Sequence, residues 1–223
     1  MAGRIAVIDY GMGNLRSVSK ALEHVGGEVT IATTAAEVAA ADRVVLPGVG
    51  AIRDCLAALD AQGLREAVTE AAASKPFLGI CLGMQALVET SLEYGEHPAL
   101  GILPGRAVAF PEEAMVDDAG KRLKVPHMGW NRVFFMEADH PLWAGVGDGS
   151  RFYFDHSYIV EPAGPEIIAG ATVYGIQFTS AVARENIFAT QFHPEKSSGH
   201  GLQLLANFIA WDPANSKEAG QCC

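Results

Sequence analysis

Basic residues are scarce and scattered in this chain. Lys and Arg number 16 against 26 Asp and Glu, for a formal net charge of -10, and no Lys/Arg block occurs. A positive stripe or patch is what grips a phosphate backbone, so neither DNA nor RNA is expected as a partner. Long apolar runs are missing as well. None reaches the roughly 18 to 20 residues that a bilayer crossing needs, and Met1 leads straight into a strand-like pattern without a leader-peptide layout. The expectation is a cytoplasmic protein with no membrane partner. Cysteine is limited to Cys55, Cys81, Cys222 and Cys223, the last two adjacent at the C-terminus. That set fits neither a disulfide framework nor CxxC metal spacing, so reduced thiols and no metal are expected.

What the chain does have is apolar content, 49% over 223 residues, enough to bury one sizeable core without staples. The expected organisation is one domain over residues 1–212 and a loose tail over 213–223, where residues are small and polar and Pro213 blocks helix continuation. The N-terminal half alternates. Arg4 to Tyr10 reads as a strand, Leu15 to Val25 as a helix, Val29 to Ala32 as a strand, Thr34 to Ala40 as a short helix and Arg43 to Leu46 as a strand. Ala51 to Ala73 follows as one or two helices, and Pro76 to Ile80 as a buried strand. Such alternation predicts a doubly wound parallel sheet, because each parallel crossover needs a dozen or more residues. From about Arg106 the text changes to short β-like pieces at Arg106–Phe110, Arg132–Met136, Phe152–Phe154, Ile167–Val173 and Ile187–Phe192, read as antiparallel. A closing amphipathic helix is predicted over about His200 to Trp211.

Phe77-Leu78-Gly79-Ile80 leads into Cys81, and Leu82 to Val88 continues with helical spacing. Gly79 and Gly83 stand two residues either side of Cys81, the layout of a nucleophile elbow, in which small neighbours permit a strained turn. The following helix N-terminus favours a thiolate. A lone cysteine is more often a small buried apolar residue, so the spacing needs a base to go with it. Of the seven histidines, His193 alone brings an orienter. In Gln191-Phe192-His193-Pro194-Glu195 an extended backbone would place Glu195 on the same side as the imidazole, with Pro194 stiffening the segment. His156 has Asp155 beside it, but adjacent strand residues point to opposite faces, so His156 reads as structural. Leu82 N–H is a candidate oxyanion donor, and Pro47-Gly48-Val49-Gly50, at the end of the third strand, could supply a second from Val49 or Gly50. Gly11-Met12-Gly13 also follows a strand, but Arg16 occupies the third glycine position of a dinucleotide fingerprint.

Gly79-Ile80-Cys81-Leu82-Gly83-Met84-Gln85 together with His193-Pro194-Glu195 resembles the class I glutamine amidotransferases over nearly the whole chain. Four further stretches are similar to the glutaminase subunits of imidazole glycerol phosphate synthases: Asp9 to Leu15, Pro47 to Gly50, Val125 to Asn131, and Gln191 to Ser197. Val125-Pro126-His127-Met128-Gly129-Trp130-Asn131 is the most specific of them. The resemblance implies an α/β, flavodoxin-like, mostly parallel sheet flanked by helices, with added antiparallel strands in the C-terminal half. It implies glutamine hydrolysis with Cys81 as nucleophile, His193 as acid/base and Glu195 as orienter. Gly48, Gln85, Glu93, Ser157 and Tyr158 are implied to bind glutamine. Asn14, Trp130, Tyr153 and Lys196 are implied to face a (β/α)8-barrel cyclase in a heterodimer, with no cofactor. The ammonia would serve histidine biosynthesis. A glutaminase of another synthase, of anthranilate, aminodeoxychorismate or pyridoxal phosphate type, is the alternative, and Val125 to Asn131 argues against it. Asp155 departs from the resemblance, which leads one to expect an apolar residue there.

Overall fold

The computed structural model describes residues 3–117 and 119–216. Five parallel strands form its centre: β1 (Arg4–Ile8), β2 (Glu28–Ala32), β3 (Arg43–Gly48), β4 (Phe77–Cys81) and, from the far end of the chain, β14 (Ile187–Thr190), in the order β2-β1-β3-β4-β14. The helices between them are α1 (Leu15–His24), α2 (Ala35–Ala40), α3 (Ile52–Ala61), α4 (Arg65–Ser74) and α5 (Leu82–Ala86). Side-chain alternation sends Ala6, Ile8, Val44 and Leu46 into one apolar cluster and Ile5, Val7 and Val45 into another. Both faces of the sheet are therefore covered, which is why these strands read as continuous apolar runs. Each large side chain buried in this way contributes about 1.5–3 kcal/mol.

Local signals set the boundaries. Thr34 and Glu37 form a reciprocal capping box at the start of α2. Helix α1 ends with Gly26 at φ +93°, where a left-handed residue lets the Gly27 N–H reach the Leu22 carbonyl at 2.9 Å.

Beyond β14 the sheet continues antiparallel through β13 (Ile176–Arg184), β11 (Tyr158–Pro162) and β7 (Gly105–Ala109). β7 pairs with β5 (Thr90–Ser91), which pairs with β6 (His97–Pro98). Off β13 hang β12 (Ile168–Tyr174) and β9 (Phe134–Phe135). A separate antiparallel ribbon joins β8 (His127–Arg132) to β10 (Arg151–His156). Helix α6 (Ser198–Ala210) closes the fold, and Pro213 opens a short turn, α7 (Pro213–Ser216). Residues 217–223, with Cys222 and Cys223, lie outside the described residues. Among the described residues no helix is long and apolar enough to cross a membrane.

Three expectations need correction. The segment at Ile187 is antiparallel to β13 but parallel to β4, so it completes the central sheet; its four residues are all buried, as a strand covered on both faces should be. The helix after Cys81 stops at Ala86, and Leu87 accepts bonds from Ile102 and Leu103 instead of continuing the spiral. The Arg132–Met136 piece splits between the end of β8 and β9.

Candidate active site

At the carboxyl end of β4 the chain turns abruptly into α5, and Cys81 takes φ 56°, ψ -107°. A non-glycine residue in that region is strained and persists only where its surroundings fix it. Gly79 and Gly83 are part of that fixing. A Cβ on Gly79 would meet Ala189 Cβ and the Gly83 carbonyl at 3.0 Å, and a Cβ on Gly83 would overlap the Leu46 carbonyl. The two glycines therefore let α5 sit down directly on β3 and β4.

The pairing of β3 with β4 sets Gly48 opposite Cys81. Pro47 to Gly50 thus begins beside Cys81, and Gly50 follows with φ +93°. Tyr10 pins this strand end from below: its hydroxyl donates to the Pro47 carbonyl at 3.0 Å and fills the space a Cβ on Gly48 would take. Sequence reasoning passed over Tyr10, although a buried tyrosine needs a partner for its hydroxyl.

His193 and Glu195 follow β14, the other neighbour of β4. His193 Nδ1 lies 2.9 Å from Glu195 Oε1, with both side chains buried. The contact was expected, but its geometry is different: His193 caps a 3-10 turn over Pro194–Lys196, and the turn, not an extended strand, brings Glu195 back under the ring. With Nδ1 held by the carboxylate, Nε2 is left for the Cys81 sulfur. Burial alone pushes the His193 imidazolium down, but its hydrogen bonds and charge interactions with Cys81 and Glu195 outweigh this and raise it to about 10. Ser197 braces the His193 backbone. Its hydroxyl donates to the His193 carbonyl at 2.6 Å and accepts from Tyr153 N at 2.9 Å, while His193 N donates to the Tyr153 carbonyl at 2.9 Å.

A cleft of about 320 Å³ opens over Cys81. Val49, Gly50, Leu82, Gln85, Glu93, Ser157 and Tyr158 line it, with His193 at the sulfur. The predicted nucleophile, base, oxyanion and glutamine-contact residues are thus gathered in one place, apart from Gly48, which stands beside it, and Glu195, which lies behind the base. Glu93 Oε2 accepts the Ile52 N–H at 3.0 Å, and burial raises its carboxyl. Asp155 lines the cleft too. Along β10 the buried residues are Phe152, Phe154 and His156, so Asp155 falls with Tyr153 on the less buried face and no charge enters the core.

His156 is no base in this geometry. Its Nδ1 must donate to the Tyr158 carbonyl at 2.8 Å, which leaves Nε2 to accept from His127 Nδ1 at 3.1 Å. His127 Nε2 in turn accepts from Asn131 at 3.3 Å. Burial holds His127 down to about 4 and His156 to about 3, so both rings stay neutral.

Outside the cleft mouth, Trp130 meets the edge of Tyr153 with ring centroids 6.2 Å apart, and Lys196 Nζ stands 5.6 Å over the Tyr153 ring. Asn14 starts α1, a helix that touches the Pro194–Lys196 turn.

Residues 6–211 match the family model described as glutamine amidotransferase class-I. A protein of Thiobacillus denitrificans, imidazole glycerol phosphate synthase subunit HisH, is 59% identical over 98% of this chain and 96% of its own length. The protein of the same name from Dechloromonas aromatica is 61% identical over 96% and 99%. Among solved structures, PurLQS from Thermotoga maritima superposes with TM-score 0.70 at 21% identity, covering 94% of this chain and 98% of that one. The glutaminase domain of Trypanosoma brucei CTPS, with bound acivicin, gives 0.62 at 17%, covering 94% of each. At these identities the structures speak to the fold alone.

Proposed function

The chain belongs to the class I glutamine amidotransferases, and from that premise we propose that it is the glutaminase subunit of an imidazole glycerol phosphate synthase. The observation that carries the chemistry is the strained Cys81 set between Gly48 on one neighbouring strand and the His193–Glu195 pair beyond the other.

In this reading the Cys81 sulfur attacks the side-chain carboxamide of glutamine. The N–H groups of Leu82 and of Val49 or Gly50 receive the developing oxyanion, each such donor accounting for about 100- to 1000-fold in turnover. His193, protonated and held by Glu195, passes its proton to the departing ammonia and leaves a thioester on Cys81. Water, deprotonated by His193, opens the thioester to glutamate. Glu93 offers a carboxylate to the substrate ammonium group, while Gln85, Ser157 and Tyr158 frame the other end of the amino acid.

The ammonia goes to a (β/α)8-barrel cyclase subunit in a heterodimer, which forms imidazole glycerol phosphate and aminoimidazole carboxamide ribonucleotide for histidine biosynthesis. Trp130, Tyr153 and Lys196 form the ring-and-cation cluster that meets this partner, with Asn14 nearby on α1. The test is ammonia release from glutamine by the free chain, by its complex with a cognate cyclase, and by the complex with the cyclase's nucleotide substrate. Release is expected to be slow in the first and fast in the last. No release in any of the three contradicts the reading.

A further inference from the structure

Gln191 is fully buried at the end of β14, and its Nε2 lies 3.7 Å from the Cys81 sulfur. Which end of its carboxamide faces the sulfur is settled by a chain of bonds that starts at a backbone carbonyl. The Tyr158 carbonyl can only accept, so Gln85 presents its NH2 group there, at 3.0 Å. The second hydrogen of the same NH2 group goes to Gln191 Oε1, also at 3.0 Å. With its oxygen taken by that donor, Gln191 has only N–H to offer the sulfur. His156 Nδ1 donates to the same Tyr158 carbonyl, which holds the starting point still. Across the cleft the Asp155 carbonyl, 3.9 Å from the sulfur, accepts from a neutral thiol. An N–H donor facing sulfur gains most when the sulfur is anionic, because bonds to charged acceptors are about twice as strong as neutral ones.

We propose that Gln191 is a catalytic residue of the glutaminase reaction, its carboxamide N–H holding the Cys81 sulfur as the anion before attack and again when the thioester opens. Gln85 is the positioning residue that keeps this N–H aimed. The inference rests on the proposed role of Cys81. It gives Gln191 a task distinct from that of His193, which carries the proton, and distinct from that of the oxyanion donors, which face the substrate oxygen. No atom is exchanged with Gln191.

The experiment follows alkylation of Cys81 by iodoacetamide in the full chain across a pH series, read by peptide mapping so that the other three thiols are scored apart. Gln191→Met keeps length and apolar fit but removes the donor; Gln191→Glu keeps shape and puts an acceptor in its place. At pH 7 alkylation of the Met variant should fall about tenfold, the scale of one hydrogen bond to a charged group, and that of the Glu variant further. The deficit should close as the pH rises, since excess base forms the anion without help. A purely structural role would slow the reaction equally at every pH. Thermal melts identify a variant that has lost its fold, and the other then decides. Gln85→Met, which leaves Gln191 in place but unaimed, should show the same pH-dependent loss at smaller size. Wild-type alkylation at pH 7 in a folded Gln191 variant, or a deficit that does not change with pH, overturns the assignment. If Cys81→Ala still hydrolysed glutamine, the proposed function itself would fall; if that variant is inactive and Gln191→Met alkylates normally, only the role of Gln191 does.

Discussion

The Leu46 carbonyl occupies the place where a side chain on Gly83 would begin. Leu46 belongs to the strand that carries Pro47 and Gly48, and Gly83 to the first turn after Cys81, so this contact sets the spacing between the two halves of the site. Gly83→Ala must push α5 away from β3. Overpacking typically costs about 1–3 kcal/mol, and an obstacle made of backbone puts this case at the upper end or beyond. Denaturant unfolding should show the loss, and glutamine turnover should fall in the fraction that remains folded. Unchanged stability would mean that the elbow is looser than this contact requires.

Electrophiles that resemble glutamine should label Cys81 and leave Cys55 untouched. Cys55 is completely buried inside α3, and burial pushes its thiol up to about 11, so it offers neither access nor anion near neutrality. Cys81 lies in the cleft with His193. Peptide mapping after labelling decides the matter, and modification of Cys55 at a comparable rate would count against the electrostatic contrast.

His193→Ala should lower glutamine hydrolysis by more than about 1000-fold, within the range that general acid–base groups supply. Glu195→Gln should cost less, because the carboxylate orients and charges the ring without carrying the proton to ammonia. Steady-state rates on the complex rank the two, and an equal or larger loss for Glu195→Gln would move the proton-carrying role toward Glu195.

Three buried histidines predict an acid limb in stability. Burial lowers His127 and His140 from an ordinary 6.5 to about 4, and His156 to about 3. They are neutral in the folded protein, and the unfolded chain takes up their protons as soon as the pH drops below 6.5. The stability these three rings contribute should therefore be fully present above that value, fall between pH 6.5 and about 4, and continue falling to about 3 through His156. The His140 ring also accepts the Leu142 N–H at 3.2 Å, so His140→Asn keeps an acceptor for this cap while removing the titration. Melting temperature against pH should show a shallower acid limb in that variant; an unchanged slope would clear His140 of the effect.

Much of this was legible because the informative residues are close together in sequence. Gly79, Cys81 and Gly83 announce a turn by spacing alone, and the β-loop-α alternation up to Ile80 follows from apolar runs of two periods. Strand direction was not legible at Ile187, since a short buried run carries no record of which neighbour it pairs with. The His193–Glu195 contact was found through a two-residue spacing, yet a 3-10 turn makes it, because i to i+2 proximity arises in either conformation. Strands β11 and β13 were missed: Pro162 disguises the end of the first, and buried Thr179 and Ser180 break the apolar text of the second. Gln191, Tyr10 and Ser197 were beyond the method for a common reason. Their partners lie 106, 37 and 44 residues away, and a polar residue inside an apolar run signals burial without naming the group it serves.

The central claim is that this chain makes ammonia for a synthase site that is not its own. It is tested most directly by product formation in the Cys81→Ser complex with a cognate cyclase and its nucleotide substrate, once with glutamine and once with ammonium salt. The account predicts that glutamine supports no synthesis while ammonium supports it at the wild-type rate, since the nucleophile is gone and the cyclase is intact. Glutamine-driven synthesis near the wild-type rate, or loss of synthesis from ammonium as well, would contradict it.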